Sequence, residues 1–144
     1  MEERSNIVID DSPVQDGPIV HPVVGAPAGL TSRQLADEIA RILDDKLGSD
    51  IVLLDMTGVV SYTDWFVIAT GRAARQTQAL AEEVRLRLKQ DHRALPARVE
   101  GIRQGGWILL DYIDVVVHIF TPEMREFYRL DQLWGQVPSI SWGS

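Results

Sequence analysis

The sequence predicts an α/β domain in which helices cover a mixed β-sheet. Three observations carry that prediction. Helical and strand periodicities follow one another in the order helix, two strands, helix, two or three strands, helix. The stretch Trp107–Phe120 reads as two short apolar strands around a polar kink. An apolar content of 45% in 144 residues supplies one core, and the chain is too short for two comfortable domains.

Residues 1–30 hold Pro13, Pro18, Pro22 and Pro27 among Asp, Gly and Val, with no surviving period, and are expected to be a disordered tail. A short docking segment at Ile7–Ile9 is the alternative there. Thr31 with Gln34 three residues on is a capping-box pattern. Leu35, Ile39, Ile42 and Leu43 then share one helical face, and Gly48 is expected to end that helix as a left-handed cap.

Asp50–Asp55 is a continuous apolar run, hence an interior strand, and Asp64–Thr70 is a second. Their short connection, turned at Thr57-Gly58, favours antiparallel pairing. After Gly71, a helix from Ala73 to about Gln90 places Leu80, Val84 and Leu88 four apart and pairs Glu83 with Arg87. Arg98–Glu100 is a candidate edge strand, and Gly101 and Gly105-Gly106 form a loop.

In Trp107–Phe120, a tip at Tyr112-Ile113 would set Asp111 opposite Asp114, Leu109 opposite Val116 and Trp107 opposite His118. One face is then aliphatic, with Ile108, Leu110, Val115, Val117 and Ile119. The other mixes Trp107, Leu109, Asp111, Asp114, Val116, His118 and Phe120. Facing Asp side chains cost roughly a few tenths to 1 kcal/mol, which a basic group from elsewhere would relieve. Thr121-Pro122-Glu123 starts a last helix with Met124, Phe127 and Tyr128 on its apolar side. Phe120 and Phe127 are expected to be buried. Leu130, Leu133 and Trp134 extend the apolar content, and residues 135–144 are expected to be a frayed tail, leaving 31–134 as the domain.

The charge of −7 and pI near 4.8 disfavour wrapping by nucleic acid and favour a basic protein partner. Zero Cys excludes disulfides and thiolate metal sites and fits a reducing, cytoplasmic setting. No apolar run reaches the roughly 18 residues of a membrane span, and no signal peptide is expected, since Met1-Glu2-Glu3-Arg4 is not a basic n-region and Ile7–Ile9 is too short for a signal core. His21, His92 and His118 are scattered, without metal-ligand spacing. Gly71-Arg72-Ala73-Ala74-Arg75 joins a strand to a helix but lacks the phosphate-loop pattern. A nucleotidyltransferase needs a Gly-Ser turn and two carboxylates one residue apart on a strand. Gly48-Ser49 is present, but Asp55 has no partner acid, and Asp111 and Asp114 lie across a turn. No catalytic, cofactor or metal residues are therefore assigned. Aromatic residues with acids late in the chain point to a protein-recognition surface.

Residues 31–134 resemble the ribosomal silencing factors, the Iojap-related proteins. The matching pieces are Asp50–Asp55, Thr63–Gly71, Arg75-Gln76, Glu100-Gly101, Trp107–Tyr112, Asp114–Phe120, Arg125–Tyr128 and Leu133-Trp134. The resemblance implies a nucleotidyltransferase-like α/β fold without the catalytic acids. It also implies binding to the large ribosomal subunit through a basic ribosomal protein of the L-fourteen family, which blocks joining of the small subunit when nutrients are short. A homodimer when free is implied too. Two departures stand out. Arg72 follows Gly71 where the family often has Ser, and Ile113, a poor residue for a positive-φ turn, stands where the family commonly has Gly.

The expected partner-binding set is Trp107 as an apolar anchor, Asp111, Asp114 and Glu100 toward Lys or Arg, and Tyr112, His118, Tyr128 and Trp134 around them. The competing readings are a nucleotidyltransferase-like nucleotide-binding enzyme and a dimeric adaptor.

Overall fold

A computed structural model describes residues 21–143. Its first elements are β1 (Val23–Val24), α1 (Ser32–Asp45), β2 (Ser49–Asp55), β3 (Trp65–Thr70) and α2 (Ala74–His92). There follow β4 (Ala94–Leu95), β5 (Arg98–Glu100), β6 (Trp107–Asp111), β7 (Val115–Phe120), α3 (Pro122–Tyr128), the one-turn α4 (Leu130–Leu133) and β8 (Ser139–Ser141). Six strands form one mixed sheet in the order β5-β6-β7-β3-β2-β8, parallel only between β3 and β7. The antiparallel β2–β3 pairing and the edge position of β5 follow the sequence reading.

Strand alternation divides the core in two. The aliphatic side of the hairpin falls as expected: Ile108, Leu110, Val115, Val117 and Ile119 are buried with Ile51, Leu53, Val67 and Ala69 beneath α1 and α2. The apolar stripes of those helices, Leu35, Ile39, Ile42 and Leu43 on one and Leu80, Val84 and Leu88 on the other, are fully buried there. On the opposite side Leu54, Met56, Phe66, Ile68, Val116 and Phe120 form a smaller core, closed by Met124, Leu130, Trp134 and Val137. That side has no long helix over it, so its cover is partial.

The capping box of α1 forms in both directions: Gln34 N–H donates to Thr31 Oγ1 at 3.0 Å and Thr31 N–H to Gln34 Oε1 at 2.9 Å. Its C-terminus departs from expectation. Leu47, not Gly48, takes the left-handed conformation, with φ 69°. Gly48 is needed for approach instead. Its N–H reaches Leu43 O at 2.8 Å, and a Cβ there would meet that same oxygen at 3.0 Å.

The hairpin keeps its faces but changes its register. Trp107 pairs with Phe120, Leu109 with His118 and Asp111 with Val116. The partner shifts by two residues, which preserves the parity of each side chain. Tyr112 N–H donates to Val115 O at 2.9 Å, so the tip is Ile113-Asp114 rather than Tyr112-Ile113. The reason is burial. Tyr112 sits on the core side at 0% exposure, and covering that ring outweighs the turn preference. Ile113 is driven to φ 72°, a costly place for a β-branched residue. Asp111 Oδ1 holds it there by accepting from Ile113 N–H at 2.8 Å. The expected Asp111–Asp114 opposition does not occur, and the basic group that approaches Asp111 is Arg98, at 3.6 Å.

Three further expectations are corrected. Phe127 is 75% exposed, because α3 turns Met124 rather than Phe127 toward the sheet. Residues 139–141 are not frayed: β8 pairs with β2, and Ile140 and Trp142 pack on the α1/α2 side. Of the expected tail, 1–20 lies outside the described residues. Within 21–30, β1 pairs in parallel with β4, and Ala26 and Leu30 pack against the core.

Candidate functional site

The partly covered side of the sheet gathers most of the polar and aromatic residues named from the sequence. On β6 and β7, alternation brings Trp107, Leu109, Asp111, Val116, His118 and Phe120 to one surface. Trp107 lies across the ladder from Phe120, with ring centroids 5.1 Å apart, and against Tyr128 of α3 at 4.5 Å. Its Nε1–H donates to Nδ1 of His118, the diagonal neighbour, at 3.1 Å. Phe66 meets the His118 ring edge-on at 4.7 Å and Trp134 edge-on at 6.4 Å.

Tyr128 is held in place by an element that sequence reasoning passed over. Arg125 forms a two-bond fork with Asp131 at 3.2 and 2.8 Å. Its Nη1 donates to Asp50 O at 2.6 Å and to Thr70 Oγ1 at 2.8 Å. One guanidinium thus ties α3 and α4 to β2 and β3 and sets the edge of the aromatic cluster. The sequence signal was an Arg two and three residues ahead of Phe127 and Tyr128 in a short helix.

Beyond Trp107, toward β5, the surface dips into a cavity of about 290 Å³ lined by Tyr62, Phe66, Leu109 and Val116, with Arg98, Asp111 and His118. Tyr62, Phe66 and Arg98 were not in the expected set. Parity on β3 would have found Phe66, which points to the same side as Val116, its register partner. Glu100 is exposed on β5, bonded to Arg98 at 3.0 Å. Asp111 and Asp114 are half-buried near the tip, and Trp134 is half-buried in the smaller core. Tyr112 does not join them. It faces the opposite core and is withdrawn from the surface, and burial pushes its phenol above the usual range, against an opposing effect of Arg85.

His118 is the buried polar centre of this face. Burial pushes its pKa down to about 4. The geometry acts in the same sense, since a cation would have to set an N–H against the Trp107 N–H. Neutral His118 accepts at Nδ1 and therefore carries its proton on Nε2. Nε2 finds no acceptor among the described residues.

The sign of the pH effect follows. Between pH 6.5 and 4 the unfolded chain binds a proton that folded His118 refuses, so stability is full above about 6.5 and falls as pH drops toward 4. At about 1.4 kcal/mol per unit the loss is on the order of 3 kcal/mol. Denaturant midpoints measured from pH 7 to 5 are expected to fall in the wild type and to fall less in His118→Gln. Equal slopes would show that His118 does not carry the effect.

Among the described residues, no group of three or more His, Asp or Glu is placed to hold a metal ion. No helix among them is long and apolar enough to cross a membrane. The arrangement offers apolar contact, aromatic edges and a few directed polar atoms, which suits recognition of another macromolecule.

Comparisons with known proteins agree in kind. A family model described as "Ribosomal silencing factor during starvation" matches residues 30–143. The ribosomal silencing factor RsfS of Halalkalibacterium halodurans is 34% identical over 111 residues, covering 77% of this chain and 94% of that one. A mouse relative named "Mitochondrial assembly of ribosomal large subunit protein 1" is 30% identical over 135 residues, covering 92% of this chain and 54% of its own. A crystal structure of a Chromobacterium violaceum protein superposes with TM-score 0.70 at 34% identity, over 74% of this chain and 88% of that one.

Proposed function

The chain belongs to the ribosomal silencing factor family, whose members are non-enzymatic regulators of translation, and from that membership we propose a specific mode of action. The chain docks on the large ribosomal subunit through a basic ribosomal protein of the L-fourteen family. While bound, it blocks the face that the small subunit must reach. The mouse relative's name, with its large-subunit assembly, supports the choice of subunit.

The observation that carries this reading is the partly covered sheet face, where Trp107, Tyr128 and the recess beside His118 present apolar contact next to Asp111 and Glu100. The net charge of −7 favours encounter with a basic protein and discourages contact with exposed phosphate. The mechanism needs no chemistry, only occupancy, so it obeys mass action. The fold is read as nucleotidyltransferase-like with the acids lost, supported by Gly48-Ser49 leading into β2 and by the lone Asp55 at its end. In the cytoplasm the free chain is read as a homodimer, supported by exposed Phe127 and Leu133.

Order of addition tests the steric step. Large subunits incubated with the chain before small subunits are added are expected to yield fewer joined ribosomes than subunits joined first. An equal yield in both orders would remove steric exclusion as the mechanism.

A further inference from the structure

The segment Ile7–Ile9, singled out by the sequence, has a matching cleft on the α1/α2 side of the sheet. Where the end of α1 meets the first turns of α2, a cavity of about 650 Å³ is lined by residues that include Lys46, Leu47, Arg72, Ala73, Arg75 and Ala79. Its apolar part is Leu47, 74% exposed, with Ala73 and Ala79, exposed as well. Leu47 is fixed there at φ 69°, with Gln76 Nε2 donating to its carbonyl oxygen at 3.1 Å. The charge at the cleft is unbalanced. The exposed side chains of Arg72 and Arg75 have no carboxylate partner among the described residues. Lys46 reaches Glu83 only at 3.9 Å, and the acid of the cleft, Asp45, is taken up by Arg87 at 3.2 Å. Such a cleft suits an occupant with an apolar part next to an acidic part.

This chain carries that pattern itself, since Ile7-Val8-Ile9 runs directly into Asp10-Asp11. In extended form Ile7 and Ile9 share one side. Residues 1–20 set Glu2, Glu3, Asp10, Asp11 and Asp16 against Arg4 alone, so they hold four of the seven net negative charges. A phosphate polymer would meet the two arginines but leave Leu47 uncovered. Reach is sufficient. Val23 N–H donates to Arg93 O at 2.9 Å, and β1 runs parallel to β4, so the chain ahead of Val23 leads back to the last turn of α2. From there to Gln76 the helix is roughly 26 Å long at about 1.5 Å per residue. The chain from Ile9 to Val23 spans up to roughly 46 Å. We propose that this cleft is the docking site of the chain's own residues Ile7–Asp11, with Ile7 and Ile9 over Leu47, Ala73 and Ala79, and Asp10 and Asp11 paired with Arg72 and Arg75. The cleft lies across the sheet from Trp107, so the inference stands apart from the reading of the ribosome-binding face.

The chain has no Cys, so Ser12→Cys gives one site for a nitroxide label beside the segment. In the full ¹⁵N-labelled chain the amide signals of Leu47, Ala73 and Ala79 are expected to be broadened, with that of Trp107 untouched. Arg72→Glu with Arg75→Glu is expected to abolish the broadening, and adding Asp10→Arg with Asp11→Arg to restore it. No broadening at the cleft, or broadening that survives the charge reversal, would overturn the inference. Failure of the swapped charges to restore it would overturn the pairing of Asp10 and Asp11 with the arginines. Mixing nitroxide-labelled chain without ¹⁵N and ¹⁵N chain without nitroxide identifies the donor of the segment. Equal broadening in that mixture would overturn the intramolecular contact in favour of a second copy.

Discussion

Trp107→Ala is expected to weaken association with the large ribosomal subunit by more than about 1 kcal/mol, at least about fivefold in affinity, while the sheet still folds. Trp107 is half-buried, so part of its surface remains for a partner. Its ring spans Phe120 and Tyr128, at 5.1 and 4.5 Å, and truncation removes the wall between the sheet and α3. It also removes the donor that fixes the His118 tautomer. Trp107→Phe helps to separate these effects, because it keeps a smaller stacking ring and loses the N–H. Affinity measured by sedimentation, with folding checked by circular dichroism, reads the result. Wild-type affinity in a folded Trp107→Ala protein would take Trp107 out of the interface.

Gly101→Ala is expected to cost about 3 kcal/mol or more of stability, the largest effect of any single methyl group here. Gly101 has φ 83°, where an L side chain is strained. Its added Cβ would also run into the carbonyl oxygen of Trp107, a backbone atom of β6 that cannot swing aside as a side chain would. Gly58→Ala is the control. Gly58 has a similar φ of 76° but nothing within 4 Å of the added Cβ, so its loss should be only about 1–2 kcal/mol of backbone strain. Urea midpoints of the two variants isolate the clash. Equal losses would show that the β5–β6 loop gives way freely around Trp107.

Much of this molecule was legible because its signals are periodic. The period of two in Trp107–Phe120 separated the two sheet faces correctly, even though the register was off by two residues. Parity survives a two-residue shift, but facing pairs do not. The register depended on whether Tyr112 or Asp114 occupied the tip. A local rule that disfavours Ile at positive φ could not foresee that burying a tyrosine would override it. The β8 strand escaped for a different reason: three residues, two of them Ser, carry too little apolar contrast, and only pairing with β2 makes them a strand. Phe127 was misplaced because a seven-residue helix at the edge of a small core has room to bury only one apolar stripe.

The candidate site was half legible. Trp107, Asp111 and His118 share a face because alternation placed them there. The recess beside them could not be read, since it is assembled from β3, β5, β6 and β7 and depends on strand order. The parallel neighbouring of β3 and β7 brings Phe66 beside Val116 and His118. That neighbouring is a long-range choice with no local signature.

The most direct measurement is co-sedimentation of the purified chain with isolated large and small ribosomal subunits, at low and at physiological salt. Selective pelleting with the large subunit at both salts is the predicted result. Pelleting with neither subunit, or equally with both, would contradict the proposed action.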